Sequence, residues 1–314
     1  MSLRIVSLLP SATEIACVLG LRDALVGVSH ECDFPTDVIT LPVLTSAKLD
    51  AARPSADIDR DVRSLLEGGL GIYRIDVDAL RALEPDLILT QDQCDVCAVS
   101  FGDVQAAVRE IARPGTEIVS LRPGHLADVW RDVETVAVAA GVAARGRDVA
   151  DALRARVAGL AERTARLPRP RLACLEWFAP LMAAGNWVPE LATAAGATCE
   201  LAAAGVHSSW LDFQSLVDDR PEVLCAMPCG FTLTRTVAEL IELLREPRWQ
   251  EIPAVRTGHV FALDGSSYFN RPGPRLADSA EILAGLLHPA EFGHLVPHDA
   301  VLRVPSHQAP PTSG

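Results

Sequence analysis

Long hydrophobic runs are missing from this 314-residue chain. Its mean hydropathy is positive, +0.21, yet alanine and valine are spread so that no stretch approaches the roughly 20 apolar residues of a membrane span. A soluble protein without membrane insertion is expected. Basic residues are scarce beside acidic ones, 28 Lys and Arg against 41 Asp and Glu, giving a formal net charge of -13. A surface that follows phosphates needs a basic patch, so nucleic acid and anionic membranes are excluded as partners. Cysteine is sparse too: eight in 314 residues cannot make a disulfide scaffold. Cys17, Cys174 and Cys225 sit inside apolar runs, where free cysteine behaves as a small hydrophobe, and a reducing compartment fits that usage. The opening MSLRIVSLLPSATE lacks the charged start, long apolar core and small-residue cleavage site of an export leader. As written the chain reads as cytoplasmic, and as periplasmic or otherwise extracytoplasmic if a leader precedes this start. GxGxxG, GxxxxGK(S/T) and GxSxG are all absent, which leaves nucleotide-binding and serine-hydrolase readings without support.

What is present is alternation. Strand-like runs IVSLL, ALVGVS, DLILT and TEIVSL are interleaved with helical patterns at 11-SATEIACVLG-20 and 102-GDVQAAVREIA-112, which predicts βαβ units around a parallel sheet. Ser11 and Glu14 have capping-box spacing, and Gly20 is a C-terminal stop. From His125 to Leu167 the pattern is helical, interrupted only at Gly141, and the segment from about 143 to 166 predicts one helix about 35 Å long. A second alternating series then runs through RLACLEW, EVLCAMP and HVFAL to 274-PRLADSAEILAGLL-287. The halves echo each other at an offset of 136, where Asp76, Leu80 and Pro85 match Asp212, Leu216 and Pro221. The expected fold class is therefore α/β, with two Rossmann-like parallel-sheet lobes bridged by one long helix. The expected domains are an N-terminal lobe (1–124), a helical segment (125–168), a C-terminal lobe (169–292) and a proline- and histidine-rich tail (293–314) expected to be disordered.

Ligands of open parallel sheets bind beyond the carboxyl ends of the strands. That rule selects loops carrying His30, Glu31, Cys32, Lys48, Cys94 and Cys97 in the first half, and Glu176, Trp177, Cys229, Tyr268 and Arg271 in the second. The CxxC of Cys94 and Cys97 fits a zinc knuckle poorly, since no second pair accompanies it. A redox dithiol remains a further reading. Cys32, Cys94, Cys97 and Cys229, with His30, are the candidate soft ligands for a transition metal or metal cofactor, against the alternative of reduced thiols that pack or line a pocket. Trp177, Trp187, Trp210 and Tyr268 are aromatics near strand ends, suited to sandwiching a flat ligand. Arg271, held between Asn270 and Pro272, suits an anionic ligand group.

The stretches IVSLLPSATEIACVLG, LVGVSHECDFP, LRALEPDLIL and SSYFNRPGPRLADSAEILAGLLHP, in this order and with the long helix between them, resemble the cobalamin-type periplasmic binding proteins of ABC importers. These are part of the helical-backbone metal-receptor class, which also takes up ferric siderophores and haem. The resemblance covers about residues 3 to 290. It implies the class III substrate-binding protein architecture, a rigid two-lobe protein that holds a corrinoid or other metal chelate between its lobes, with no catalytic residues and no required cofactor. It implies an importer permease as partner, contacted by one acidic residue per lobe: Asp78 in the first, and in the second Glu190, three residues before the Thr193 that stands at the family position. The HEC, CDVC and PCG cysteines depart from transport members and are closer to a signal-less cobalamin-binding branch. The rival reading is a cytosolic thiol-dependent enzyme, or a metal-site protein, acting on a corrinoid or metal cofactor.

Overall fold

The computed structural model describes residues 3–67, 73–91 and 115–305. The chain divides into two compact units, Met1–Arg154 with Pro272–Pro274, and Ala155–Arg271 with Arg275–Gly314. Cys94, Cys97 and the expected helix at 102–112 lie outside the described residues.

In the first unit β1 (Ile5–Ser7), β2 (Leu25–Val28), β3 (Thr45–Ala47), β4 (Tyr73–Ile75), β5 (Leu87–Gln91) and β6 (Glu117–Leu121) follow in chain order. Four of them form a parallel sheet in the order β2-β1-β5-β6, and β3 and β4 pair antiparallel in a small sheet of their own. Val6, Leu8, Leu44, Leu80 and Ile88 make a buried cluster, with Val26, Tyr73, Ile75 and Leu83 packed against it. The strands of β1 and β5 are buried along their whole length, as parallel strands covered on both faces must be.

Helix Pro10–Val18 starts two residues earlier than its capping-box spacing predicts, because Pro10 occupies the first turn and Leu9 becomes the N-cap. Ser11 is thereby drawn into the interior, where its hydroxyl has no partner among the described residues, so the Ser11 and Glu14 capping box is not formed. The stop at Gly20 is as expected: its φ is +71°, Gly20 N–H donates to Cys17 O and Leu21 N–H to Ala16 O, both at 2.9 Å, which closes a Schellman motif. The same pair of bonds at Gly141 and Val142 ends helix Leu126–Ala139. The next helix, Ala143–Thr164, has 22 residues and so is about 33 Å long; the division between the two units falls inside it.

The second unit contains β7 (Leu172–Phe178), β8 (Leu181–Ala183), β9 (Ser209–Trp210), β10 (Val223–Ala226), β11 (Val260–Leu263) and β12 (Val301–Arg303). They form one sheet in the order β12-β11-β10-β7-β8-β9. Only β7, β10 and β11 run parallel; β8, β9 and β12 add antiparallel edges, so this sheet is mixed rather than purely parallel. The physical reason at one edge is the short Phe178 to Leu181 connection, too short for a parallel crossover. At the other edge, residues 301–303 of the expected tail form a strand: β12 pairs with β11, and Ala300 and Val304 are buried. The proline-rich composition of that segment hid a strand of only three residues.

The offset-136 echo is a structural repeat. Helices Val77–Leu83 and Phe213–Asp219 match residue for residue. Each ends on a left-handed residue, Glu84 and Arg220, and each leads into the strand that pairs with its unit's first strand, β5 on β1 and β10 on β7.

Candidate functional site

In the first unit the candidate residues begin where β2 ends. His30 and Glu31 follow Val28 by two and three residues, and their side chains are held by groups that no motif announced. The His30 ring Nδ1 lies 2.7 Å from Thr45 Oγ1, which also accepts the His30 backbone N–H at 3.0 Å. Thr45 donates in turn to Ser29 Oγ at 3.1 Å. Tyr73 O–H donates to Glu31 Oε1 at 2.8 Å, and its ring lies 5.2 Å from that of His30 at 59°. Thr45 and Tyr73 reach His30 because β3 and β4 pair, with Thr45 opposite Ile75 and Ala47 opposite Tyr73. His30 is an exposed residue, but the groups packed around its ring remove water and lower its pKa, outweighing the neighbouring Glu31 carboxylate that acts to raise it.

Cys32 is not arranged as an open ligand. It is buried, and its sulfur lies 3.1 Å from Thr13 Oγ1. Thr13 donates to Ser7 Oγ at 2.9 Å and Ser7 to Leu9 O at 3.0 Å, so the thiol tops a buried chain of hydroxyls. Lys48 is half-buried just past the end of β3. Asp78 sits in the first turn of helix Val77–Leu83, 91% exposed at the side chain, with Arg81 Nη1 at 2.7 Å.

In the second unit the register of β7 against β8 shifts between Leu175 and Trp177, a bulge that re-aims the side chains at the strand's end. Glu176 and Trp177 are half-buried there. Glu176 Oε2 accepts from Ser208 Oγ at 2.7 Å, and Ser208 accepts the Gly185 N–H at 2.9 Å. The Trp177 ring packs edge-on against Phe231 at 5.1 Å, with the Arg235 guanidinium 3.5 Å over the other aromatic ring. Its indole N–H is buried without a partner among the described residues. Cys229, which follows β10, is half-buried, and its backbone N–H donates to Glu176 O at 3.2 Å.

The turn Gly265–Phe269 presents Tyr268 and leads to Arg271. Gly265 is required because a Cβ there would press on the carbonyls of Met227 and Pro228. Asn270 Nδ2 staples the turn by donating to Met227 O at 2.8 Å and Gly265 O at 3.1 Å. Arg271 is buried and donates to Ser266 Oγ at 3.3 Å. Tyr268 lies beneath the Arg275 guanidinium at 5.3 Å, and burial, with Asp299 adding to it, raises its phenol pKa. Trp187 is withdrawn from the expected aromatic set: it is core, with Nε1 donating to Phe269 O at 2.8 Å. Trp210 is exposed on β9. Glu190 occupies the first turn of helix Val188–Ala194, half-buried.

No group of three or more potential metal ligands occurs among the described residues. Of the four cysteines proposed as a cluster, two lie outside the described residues, and Cys32 and Cys229 belong to different units. Nor is any helix among the described residues long and apolar enough to cross a membrane.

The model of the periplasmic binding protein family matches residues 5–266. The chain belongs to that family. Its fold is that of the class III members. The periplasmic vitamin B12 binding protein BtuF of Vibrio cholerae superposes with a TM-score of 0.65 at 22% identity, over 92% of this chain and 97% of that one. The periplasmic heme-binding protein RhuT from Roseiflexus sp. RS-1 in apo form gives 0.69 at 22% identity, over 92% and 99%. In sequence the chain is 24% identical to the vitamin B12-binding protein of Vibrio parahaemolyticus over 278 residues, 87% of this chain and 84% of that protein.

Thr45, Tyr73, Ser208 and Phe231 are the site residues that sequence reasoning missed. The available signal was weak: three-residue strands carry too few positions for alternation to show.

Proposed function

We propose that this periplasmic binding protein is the non-enzymatic, extracytoplasmic receptor of an ABC importer, and that its cargo is a corrinoid of the cobalamin type. The observation that carries the reading is Trp177: a half-buried indole at the end of β7, its ring set by Phe231 and its N–H unpartnered. An unpaired buried donor costs about 1–3 kcal/mol, a cost that an acceptor on a bound ligand removes. The rim of a corrin carries amide side chains whose carbonyls are such acceptors, whereas the rim of a haem is mostly hydrocarbon with two carboxylates. The likeness to vitamin B12-binding proteins supports the same choice.

Among the described residues of the first unit, the candidate thiol Cys32 is buried, with its sulfur 3.1 Å from Thr13 Oγ1, which disfavours the thiol-enzyme alternative at that residue. On this reading Asp78 and Glu190 are the acidic contacts offered to the permease, and Glu176, Tyr268 and Arg271 are polar contacts for the cargo. Calorimetric titration with cyanocobalamin tests the reading. One site per chain is expected, and binding of even about −6 kcal/mol registers near 100 μM ligand. No heat with cyanocobalamin, together with saturable binding of haemin, overturns it.

A further inference from the structure

We infer that His30 supplies an axial nitrogen to the metal at the centre of the bound chelate; the inference rests on the corrinoid reading above. The observation is a chain of protons with one solution. Thr45 has a single hydroxyl proton, which it donates to Ser29 Oγ at 3.1 Å. The 2.7 Å contact between Thr45 Oγ1 and His30 Nδ1 must then take its proton from the imidazole. This fixes the tautomer with hydrogen on Nδ1 and leaves the Nε2 lone pair on the other side of the ring. Such an arrangement, with one ring nitrogen tied to an oxygen acceptor and the other left as a base, is what orients a metal-ligating histidine.

The support is built into the interior while the histidine is not. Thr45 is 7% and Ser29 4% exposed, whereas His30 is an exposed residue at the carboxyl end of β2. Ser29 Oγ is held in place as it also accepts the Glu31 backbone N–H at 3.3 Å. Tyr73 fixes one flank of the ring and at the same time holds the Glu31 carboxylate at 2.8 Å, which keeps that carboxylate from turning to take the ring's place. Among the described residues, two other candidate donors fit an axial position less well. Cys32 is buried against the Thr13 hydroxyl, and Tyr268 keeps its phenol proton. Ligation is a simple exchange: the Nε2 electron pair binds the metal, a water leaves it, and no electron is transferred.

The test uses cobinamide, a corrinoid that lacks the nucleotide base, so that an axial nitrogen can come only from the protein in a nitrogen-free buffer. Reduced to the cobalt(II) state and bound to the full chain, it should show each resolved cobalt line of its electron paramagnetic resonance spectrum split into a triplet by one nitrogen. His30→Ala should still bind cobinamide by calorimetry but lose the triplet. Thr45→Val, which keeps the imidazole and removes its acceptor, should keep the triplet and bind about tenfold more weakly. Wild-type binding without a triplet, or a triplet that survives in His30→Ala, overturns the ligation while leaving the corrinoid reading intact. Unchanged affinity in Thr45→Val overturns the tautomer argument. Absence of any corrinoid binding overturns the reading beneath it as well.

Discussion

Asp132 on helix Leu126–Ala139 makes the stability of this protein depend on pH in a direction opposite to that of most carboxylates. Its Oδ2 is buried without a hydrogen-bond partner among the described residues. Burial, reinforced by the Asp128 carboxylate one turn away and only partly offset by Arg131, pushes its pKa up to about 7 from 3.8. Below about pH 4 both folded and unfolded chains carry the proton, and the group has no effect. Between about pH 4 and 7 the folded chain holds a proton that the unfolded chain has released, so stability falls as pH rises, by about 1.4 kcal/mol per unit. The stability is fully present below the unfolded value and is lost as pH rises through the folded one. Asp132→Asn keeps the shape of the neutral acid and cannot ionise. Its advantage over wild type should therefore grow by about 2 kcal/mol from pH 5 to pH 8, after allowance for solvent screening of a group that is only partly buried. Urea unfolding of both proteins at each pH, with equal slopes, reads the difference directly. A gap that is the same at both pH values would refute the reasoning, and so would a variant that loses stability faster than wild type.

Gly20→Ala should destabilise by about 1–2 kcal/mol, the cost of a left-handed non-glycine residue, and more if Arg145 is forced to release Leu19 O, which it now holds at 2.9 Å; thermal unfolding checks it. Iodoacetamide should label Cys199 before Cys174 and Cys225, because a hydrogen bond from Cys174 lowers the Cys199 pKa while that same bond and burial raise Cys174, and burial raises Cys225; peptide mass mapping over time reads the order. Cys17, held at about 11 mainly by burial, should also lag. Trp177→Phe keeps the ring and removes the unpartnered N–H, so the ligand-free melting temperature should hold or rise. Cyanocobalamin affinity should fall about fivefold, the worth of one hydrogen bond near 1 kcal/mol.

The parts of the fold visible in the sequence were those written over many residues. The β5 and β10 runs are continuous and apolar, helix Ala143–Thr164 keeps its period for six turns, and the repeat at Asp76 and Asp212 spans helix, left-handed stop and strand. What escaped was short or depended on pairing. Strands β3 and β4 have three residues each, and their meaning lies in the register that brings Tyr73 beside His30. Ser11 and Glu14 had the right spacing for a cap, but Pro10 moved the helix start and consumed it. The candidate site was legible as loops, since the strand-end rule chose His30, Glu31 and Trp177 without any contact information. It was not legible as chemistry, because the partners that orient those side chains come from Thr45, Ser208 and Phe231, which lie 15, 32 and 54 residues away from His30, Glu176 and Trp177.

Strand β12 has a practical meaning for anyone who shortens or labels this protein. Residues 301–303 occupy the outer side of β11, where Leu302 faces Ala262 and Val301 faces Leu263. If the chain were cut at Leu295, β11 would present a bare row of backbone donors and acceptors beside an apolar surface, an arrangement that recruits a strand from a second molecule. Self-association should follow and increase with protein concentration, and a peptide spanning residues 296–305 should suppress it by taking back the vacant place. An affinity label attached after residue 305 leaves that seal whole.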